Sequence, residues 1–144
     1  MTASSADRVE ELTGYRPETV IVQEDEAHLF YETLALSRRE VQREIIQMVL
    51  AAHKVWPAPT SIVVSVMRRA RAGGSVCRVG SLPFHNEIVT VRASAANVEE
   101  YGTSDVQTLW ELCVFTRWIF HDTSHRDLRF LRYPYLLRDG GTRE

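Results

Sequence analysis

The segment from Val106 to Phe120 constrains the fold more than any other part of this sequence, because apolar residues recur along it almost without interruption. The residues Ser104 to Gln107 have the spacing of a capping box, which predicts a helix that begins there. Such a helix would be apolar around nearly its whole circumference, so no side of it would suit solvent. The sequence therefore predicts a long helix that other parts of the chain, or another subunit, must cover on more than one side.

A second helix is predicted after Ser37. The Ser37 hydroxyl can accept a hydrogen bond from the amide of Glu40, and the Glu40 carboxylate can accept one from the amide of Ser37. Apolar residues then recur at intervals of three and four, and Pro57 and Pro59 end the pattern. The helix therefore has one apolar face, which consists of Val41, Ile45, Met48, Val49, Ala52 and Trp56.

Five segments have the composition and alternation of strands. The first two flank an acidic turn, Glu24 to Glu26, and predict a hairpin. The pair Gly73-Gly74 predicts a tight turn between the third and fourth segments, so that the last three form a meander. The five segments are Thr19 to Gln23, Ala27 to Ala35, Ser61 to Arg71, Ser75 to Val79 and Glu87 to Ala93.

Together with a short helix from Ser5 to Leu12, which Gly14 would end, these segments predict an α+β fold. The expected form is a two-layer sandwich with an antiparallel sheet of about five strands and three helices. The alternative is a ferredoxin-like βαββαβ arrangement, which requires that the first hairpin be one bent strand and that the C-terminal segment add another. The length predicts a single domain over 1–144, with flexible ends at 1–5 and 139–144.

Charge is segregated along the chain, although the formal net charge is only −2. Residues 1–36 carry eight acidic and two basic side chains, a balance of −6, whereas residues 45–86 carry five bases and no acid. We expect these two blocks to meet in the fold or to form separate faces. No window is apolar enough to span a membrane and the N-terminus has no signal pattern, so the sequence predicts an intracellular, cytoplasmic protein without a membrane contact.

The sequence gives no local support for a cofactor or a catalytic centre. It contains no Gly-x-Gly-x-x-Gly pattern, no phosphate-binding Gly-Lys-Ser/Thr loop and no Gly-x-Ser-x-Gly elbow. Its two cysteines, Cys77 and Cys113, lack the paired spacing of a zinc site and are predicted to be buried thiols. No catalytic residue and no cofactor are therefore assigned, and the chain is predicted not to be an enzyme.

His121 and His125 are the candidate metal ligands. A spacing of four places both imidazoles on one face of a helix, where they would be able to share a metal ion. Two ligands are too few, and the sequence does not identify a third. The simpler interpretation, which the sequence favours, is a helix end where cationic histidines sit near the negative end of the dipole.

Arginines form a second group of candidate binding residues. Arg68, Arg69, Arg71 and Arg78 would form a positive tip on a hairpin that closes at Gly73-Gly74. Such a tip would suit nucleic-acid phosphates, an acidic protein surface or an internal ion pair, and a solvated face is the simplest alternative. Arg129 and Arg132 lie in an arginine-rich, aromatic tail that would suit either docking to a partner or packing over the chain's own core.

Three functional hypotheses follow from these patterns. The first is a non-enzymatic protein-protein interaction or assembly module, which self-associates within a larger complex. Its specific form brings the acidic turn, Glu24 to Glu26, of one subunit against the arginine tip of another. The alternatives are a nucleic-acid-binding domain that uses the arginine-rich hairpin and a small metal-dependent enzyme centred on His121 and His125.

Overall fold

A computed structural model describes residues 4–71 and 84–120 of the chain. The strand predicted at Ser75 to Val79 lies outside these residues, as does the C-terminal tail. The helices and strands are α1 Ser5–Thr13, β1 Thr19–Val22, β2 Glu26–Leu34, α2 Arg38–Val55, β3 Ser61–Arg71, β4 Phe84–Ser94, α3 Ala95–Tyr101, α4 Val106–Leu112 and β5 Val114–Phe120.

The described strands form one five-stranded sheet in the order β1-β2-β3-β4-β5. Neighbouring strands are antiparallel except for β2 and β3, which are parallel. A parallel connection needs a crossover, and the 18-residue helix α2 provides it. The predicted α+β class is confirmed, but the described residues contain four helices rather than three, and the sheet is mixed rather than wholly antiparallel.

The first hairpin consists of two separate strands. Four pairs, from Thr19 opposite Phe30 to Val22 opposite Ala27, define its register. The ferredoxin-like alternative required one bent strand here, so that alternative is wrong. The strand that returns beside β3 is β4, since Arg71 lies opposite Phe84.

Local capping signals set the helix ends. Ser37 and Glu40 form the predicted capping box of α2, with their two hydrogen bonds at 3.1 and 2.8 Å. Gly14 ends α1 with φ at +81°, a left-handed conformation that favours glycine. Both helix ends were therefore identified correctly from the sequence.

The helices lie against one face of the sheet. Alternate residues of the three central strands, among them Leu29, Val64 and Val91, form one buried cluster with the apolar face of α2. The short helices α1, α3 and α4 each contribute one buried residue, Val9, Val98 and Leu109 respectively. This cluster is the principal core of the described residues.

The opposite face of the sheet is also buried at its centre. Phe30, Met67 and Ile88 form a second, smaller apolar cluster there. Beside it Ser65 is fully buried, with its hydroxyl 2.9 Å from the Thr90 hydroxyl and 3.3 Å from the His28 ring. The Ser65 hydroxyl thus forms its hydrogen bonds with other side chains of the sheet.

The predicted long helix from Ser104 is wrong beyond its first two turns. Asp105, not Ser104, is the N-cap, and its side chain accepts a hydrogen bond from the Thr108 amide at 3.0 Å. The helix α4 ends at Leu112, Cys113 is extended, and β5 follows. The reason is composition, since the residues from Val114 to Phe120 are mostly β-branched or aromatic and favour a strand. Within 4–71 and 84–120, no helix is long and apolar enough to cross a membrane.

Candidate functional site

A buried carboxylate marks the end of the sheet nearest the β3-β4 connection. Glu87 on β4 is 1% exposed and lies directly opposite Arg68 on β3. Arg68 is also buried, and its Nε donates a hydrogen bond to Glu87 Oε1 at 2.5 Å. Its Nη1 donates to the carbonyl oxygen of Leu36 at 3.0 Å. Two charges removed from water are stable only with such close pairing, so this ion pair is a fixed part of the core.

A second arginine contacts the same carboxylate from β5. Arg117 lies opposite Val89, which is two residues from Glu87 along β4 and on the same face of the sheet. Its Nε is 2.6 Å from Glu87 Oε2, although the N–H is not aligned with that oxygen, so the contact is an ion pair without a well-directed hydrogen bond. Arg117 is 34% exposed on its side chain, so the cluster of two arginines and one glutamate is open to solvent on this side.

Two neighbouring pockets lie beside α2, the inner one against β4, β5 and Trp110 and the outer one against α4. The inner pocket has a volume of about 110 Å³ and reaches Glu87 and Arg117. The outer pocket, of about 230 Å³, is lined by Arg39 and Arg43 of α2 and by Gln107 of α4, among others. Gln42 and Trp110 line both pockets. We call the two together the α2-α4 groove.

Aromatic side chains form the wall of the groove. The rings of Trp110 and Phe115 are in edge contact, with centroids 5.3 Å apart and an angle of 62° between their planes. This geometry is a favourable one for aromatic pairs and holds both rings in place. The groove thus combines a flat apolar wall with the amides of Gln42 and Gln107 and with guanidinium groups at both ends.

Exposed apolar residues lie where α4 meets β5. Leu112, Val114 and Phe115 are 48%, 62% and 47% exposed. We call these three residues the β5 corner. Cys113 lies between Leu112 and Val114, and its half-buried thiol donates a hydrogen bond to the Leu109 carbonyl oxygen at 3.2 Å. Burial raises the pKa of this thiol, which keeps it protonated and unreactive at neutral pH.

The structure places only part of the predicted binding set. Arg68 is inside the protein and its guanidinium is used by Glu87 and Leu36, so it does not belong to an exposed tip. The backbones of Arg69 and Arg71 lie on β3, opposite Asn86 and Phe84. The remaining candidates, Arg78, Arg129, Arg132, His121 and His125, lie outside the described residues, as does Cys77.

The acidic turn proposed as a partner of the arginine tip is also used within the chain. Glu26 forms an ion pair with Arg92 of β4, across the intervening strand β3. Both side chains are partly buried, so this contact connects β2 to β4 on the face away from the helices. Of the acidic turn, Glu24 and Asp25 remain exposed.

Sequence reasoning missed Glu87, Arg117 and Trp110 as site residues. One signal was present for Glu87, since it is the first acid after residues 45–86, which contain none, and apolar strand residues follow it. An isolated acid in such a strand requires a buried partner. Nothing comparable distinguished Arg117, which the sequence placed within a helix.

Among the residues that the structure describes, no group of three or more histidine, cysteine, aspartate or glutamate side chains is arranged to hold a metal ion. No protein-family model, curated protein or solved structure matches this chain. The site is therefore interpreted from its own geometry.

Proposed function

We propose that this chain is a non-enzymatic assembly module that self-associates through the β5 corner, with β5 of one copy pairing antiparallel with β5 of a second. The observation that carries the proposal is the exposure of Leu112, Val114 and Phe115 where α4 passes into β5, the edge strand of the described sheet. Removing three such side chains from water would favour association. The long apolar helix from Ser104 that first suggested assembly is absent from the described residues and does not support the proposal.

Among the residues that the structure describes, the edge formed by β5 carries little of the usual protection against pairing. In the described sheet β5 has a neighbour only on its β4 side, so a row of backbone donors and acceptors faces outward. Edge strands in monomeric proteins are commonly short or carry lysine, proline or inward-pointing charges. β5 has seven residues and neither lysine nor proline, and the one protective feature it has is Arg117, a charge directed inward at Glu87.

A second copy of the same chain is the occupant that this edge suits best. In antiparallel pairing of identical strands about a two-fold axis, each contact of residue i with residue j is repeated by residue j with residue i. Glu87 offsets part of the positive charge beside Arg117 in each copy, which lowers the repulsion between the two strands. Both copies then use the same surface for the contact, as a two-fold dimer requires.

The test is the mass of the purified protein over a range of concentrations. We expect a dimer of twice the monomer mass of 16.5 kDa by size exclusion with light scattering. Val114→Lys places a charge at the β5 corner and should shift the protein to the monomer. Val22→Lys is the matched control, since Val22 is 43% exposed on β1 at the other edge, and it should leave the dimer intact.

Three results would contradict the proposal. One is a wild-type protein that stays monomeric at all concentrations, and another is a dimer that survives Val114→Lys. The third is loss of the dimer in both variants, which would mean that any added charge prevents association. Circular dichroism and thermal unfolding of each variant establish that a change in mass is not a loss of fold.

The other two hypotheses remain sequence predictions. With Arg68 paired internally, nucleic-acid binding depends on Arg69, Arg71 and Arg78, and changing these three to alanine should reduce a salt-sensitive affinity for nucleic acid. The metal hypothesis depends on His121 and His125. Elemental analysis of the purified protein tests it directly.

A further inference from the structure

We propose that the α2-α4 groove is a binding site for a small organic anion with a flat aromatic body, such as an aromatic carboxylate or an aromatic phosphate ester. Arg117 would bind the anionic group and Trp110 would contact the ring. The site is separate from the outer edge of β5, although Phe115 borders both.

The anion-binding end is preorganised by a buried acid. Glu87 contacts Arg117 through Nε, and the guanidinium carries further donors on its two terminal amino groups. Arg68 and Arg117 together carry two positive charges against the one negative charge of Glu87, so the cluster has an excess of one positive charge. A guanidinium fixed by a buried partner loses little freedom when it binds, and its planar donors match carboxylate and phosphate oxygens.

The remainder of the groove suits an aromatic ring. Trp110 lines both pockets, and Val41, Val89 and Phe115 supply further apolar wall beside Arg117. Gln42, which also lines both pockets, provides an amide that can donate or accept a hydrogen bond. Mostly apolar lining with a few convergent polar groups is typical of small-ligand sites, which begin at about 300 Å³. The two pockets, of about 110 and 230 Å³, share Gln42 and Trp110, and a ligand that spans both would occupy a volume of that order.

The first experiment compares four probes by isothermal titration calorimetry. Phenyl phosphate and benzoate carry both the ring and the charge, inorganic phosphate carries only the charge, and benzyl alcohol carries only the ring. We expect at least one aromatic anion to bind at least tenfold more tightly than either partial probe, and the better of the two identifies the preferred head group. Equal affinities for all four probes, or binding of none, would overturn the proposal.

The second experiment locates the site with substitutions. Arg117→Gln should weaken the better probe at least tenfold, and Arg117→Lys should recover part of the loss because it restores the charge without the planar donors. Arg8→Gln is the matched control, since Arg8 is an exposed arginine on α1 that lines neither pocket, and the variant should bind as the wild type does. Unchanged affinity in Arg117→Gln, or an equal loss in Arg8→Gln, would refute the assignment.

A third measurement does not depend on a folded Arg117 variant. In the wild-type protein, the indole N–H resonance of Trp110 should move on titration with the better probe, and Trp110→Leu should identify that resonance and weaken binding. Shifts confined to residues outside the groove would show that the ligand binds elsewhere. Val114→Lys separates this inference from the proposed assembly, because it should abolish the dimer and leave ligand affinity unchanged.

Discussion

The two edge strands of the described sheet have similar positions in the chain but differ in length and in charge. Each edge strand follows a short helix, α1 before β1 and α4 before β5. Yet β1 has four residues and acidic neighbours at Glu18, Glu24 and Asp25, whereas β5 has seven residues and a single charge that is paired within the chain. Both edges expose a valine, Val22 or Val114.

The contrast indicates how one edge of a sheet can remain available for pairing with a second copy while the other edge is protected from it. A second copy approaching β1 would meet like charges and a strand too short to give many hydrogen bonds. A copy approaching β5 would meet apolar side chains and a longer row of backbone groups. β5 is in addition attached to the sheet by the buried Glu87 cluster.

The largest expected effect concerns the cluster that fixes β5. Glu87→Ala should destabilise the fold by about 3–5 kcal/mol, because it leaves Arg68 buried without a counter-charge. Glu26→Ala removes the partly buried pair with Arg92 and should cost about 1 kcal/mol. Urea unfolding followed by circular dichroism measures both. Equal losses would mean that the β5 end of the sheet is not specially anchored.

The next effect concerns the helices that precede the two edges. Leu109 is the one buried residue of α4, and Leu109→Ala should cost about 2–5 kcal/mol because it leaves a cavity. Val9 is the one buried residue of α1, and Val9→Ala removes fewer carbon atoms, so we expect about 1–3 kcal/mol. Thermal unfolding of the two variants gives the order. A larger loss at Val9 would show that the β1 side carries more of the stability.

Cys113 reports on the β5 side with a smaller effect. Because burial raises the pKa of its thiol, alkylation by iodoacetamide at pH 8 should be slower in the folded protein than in urea. A Cys77→Ser background isolates the signal from Cys113. If β5 pairs with a second copy, labelling should slow further as protein concentration rises, and a rate independent of concentration would argue against coverage of this corner.

The smallest effect is a pH dependence at the two helix caps. Hydrogen bonds from Arg16 and Ser4 lower the pKa of Asp7 below 3.8, and those from Thr108 do the same for Asp105. A lowered folded-state pKa contributes stability above the unfolded value, and that stability is lost as pH falls through the folded value.

Asp7→Asn and Asp105→Asn should therefore each reduce the loss of stability in acid below about pH 4. The Asp105→Asn variant keeps a good N-cap, so its stability near neutral pH should change little. Thermal unfolding from pH 2 to 6 tests both variants. If the unfolding temperatures of both variants fall with decreasing pH as those of the wild type do, neither cap carboxylate contributes to the acid sensitivity.

The sequence predicted best where short-range signals decide the structure. The capping box at Ser37 and the glycine at Gly14 fixed helix ends, and β3 has the predicted limits of Ser61 and Arg71. α3 was missed although Ser94 caps it by accepting from the Asn97 amide, a local signal that could have been used. Local chemistry was therefore sufficient for most elements.

Longer-range features were harder to predict. A continuous apolar run suits a buried helix or a strand equally well by periodicity, so the segment after Leu112 was assigned to the wrong element. The parallel pairing of β2 with β3 depends on where α2 crosses, which no single segment encodes. The same applies to the site, since Arg68 reads as a surface charge until the ladder places Glu87 opposite it.

Every strand of the described sheet lies beside the strand that precedes it in the chain. During synthesis on the ribosome, each strand can therefore add to a template already made, with α2 as the longest of the described helices to be inserted on the way. The last strand to be added then lies at the edge of the sheet, and among the described strands that is β5. If β5 pairs with β5 of a second copy, that pairing adds a strand from another molecule to the same edge at which the described strands were added in turn.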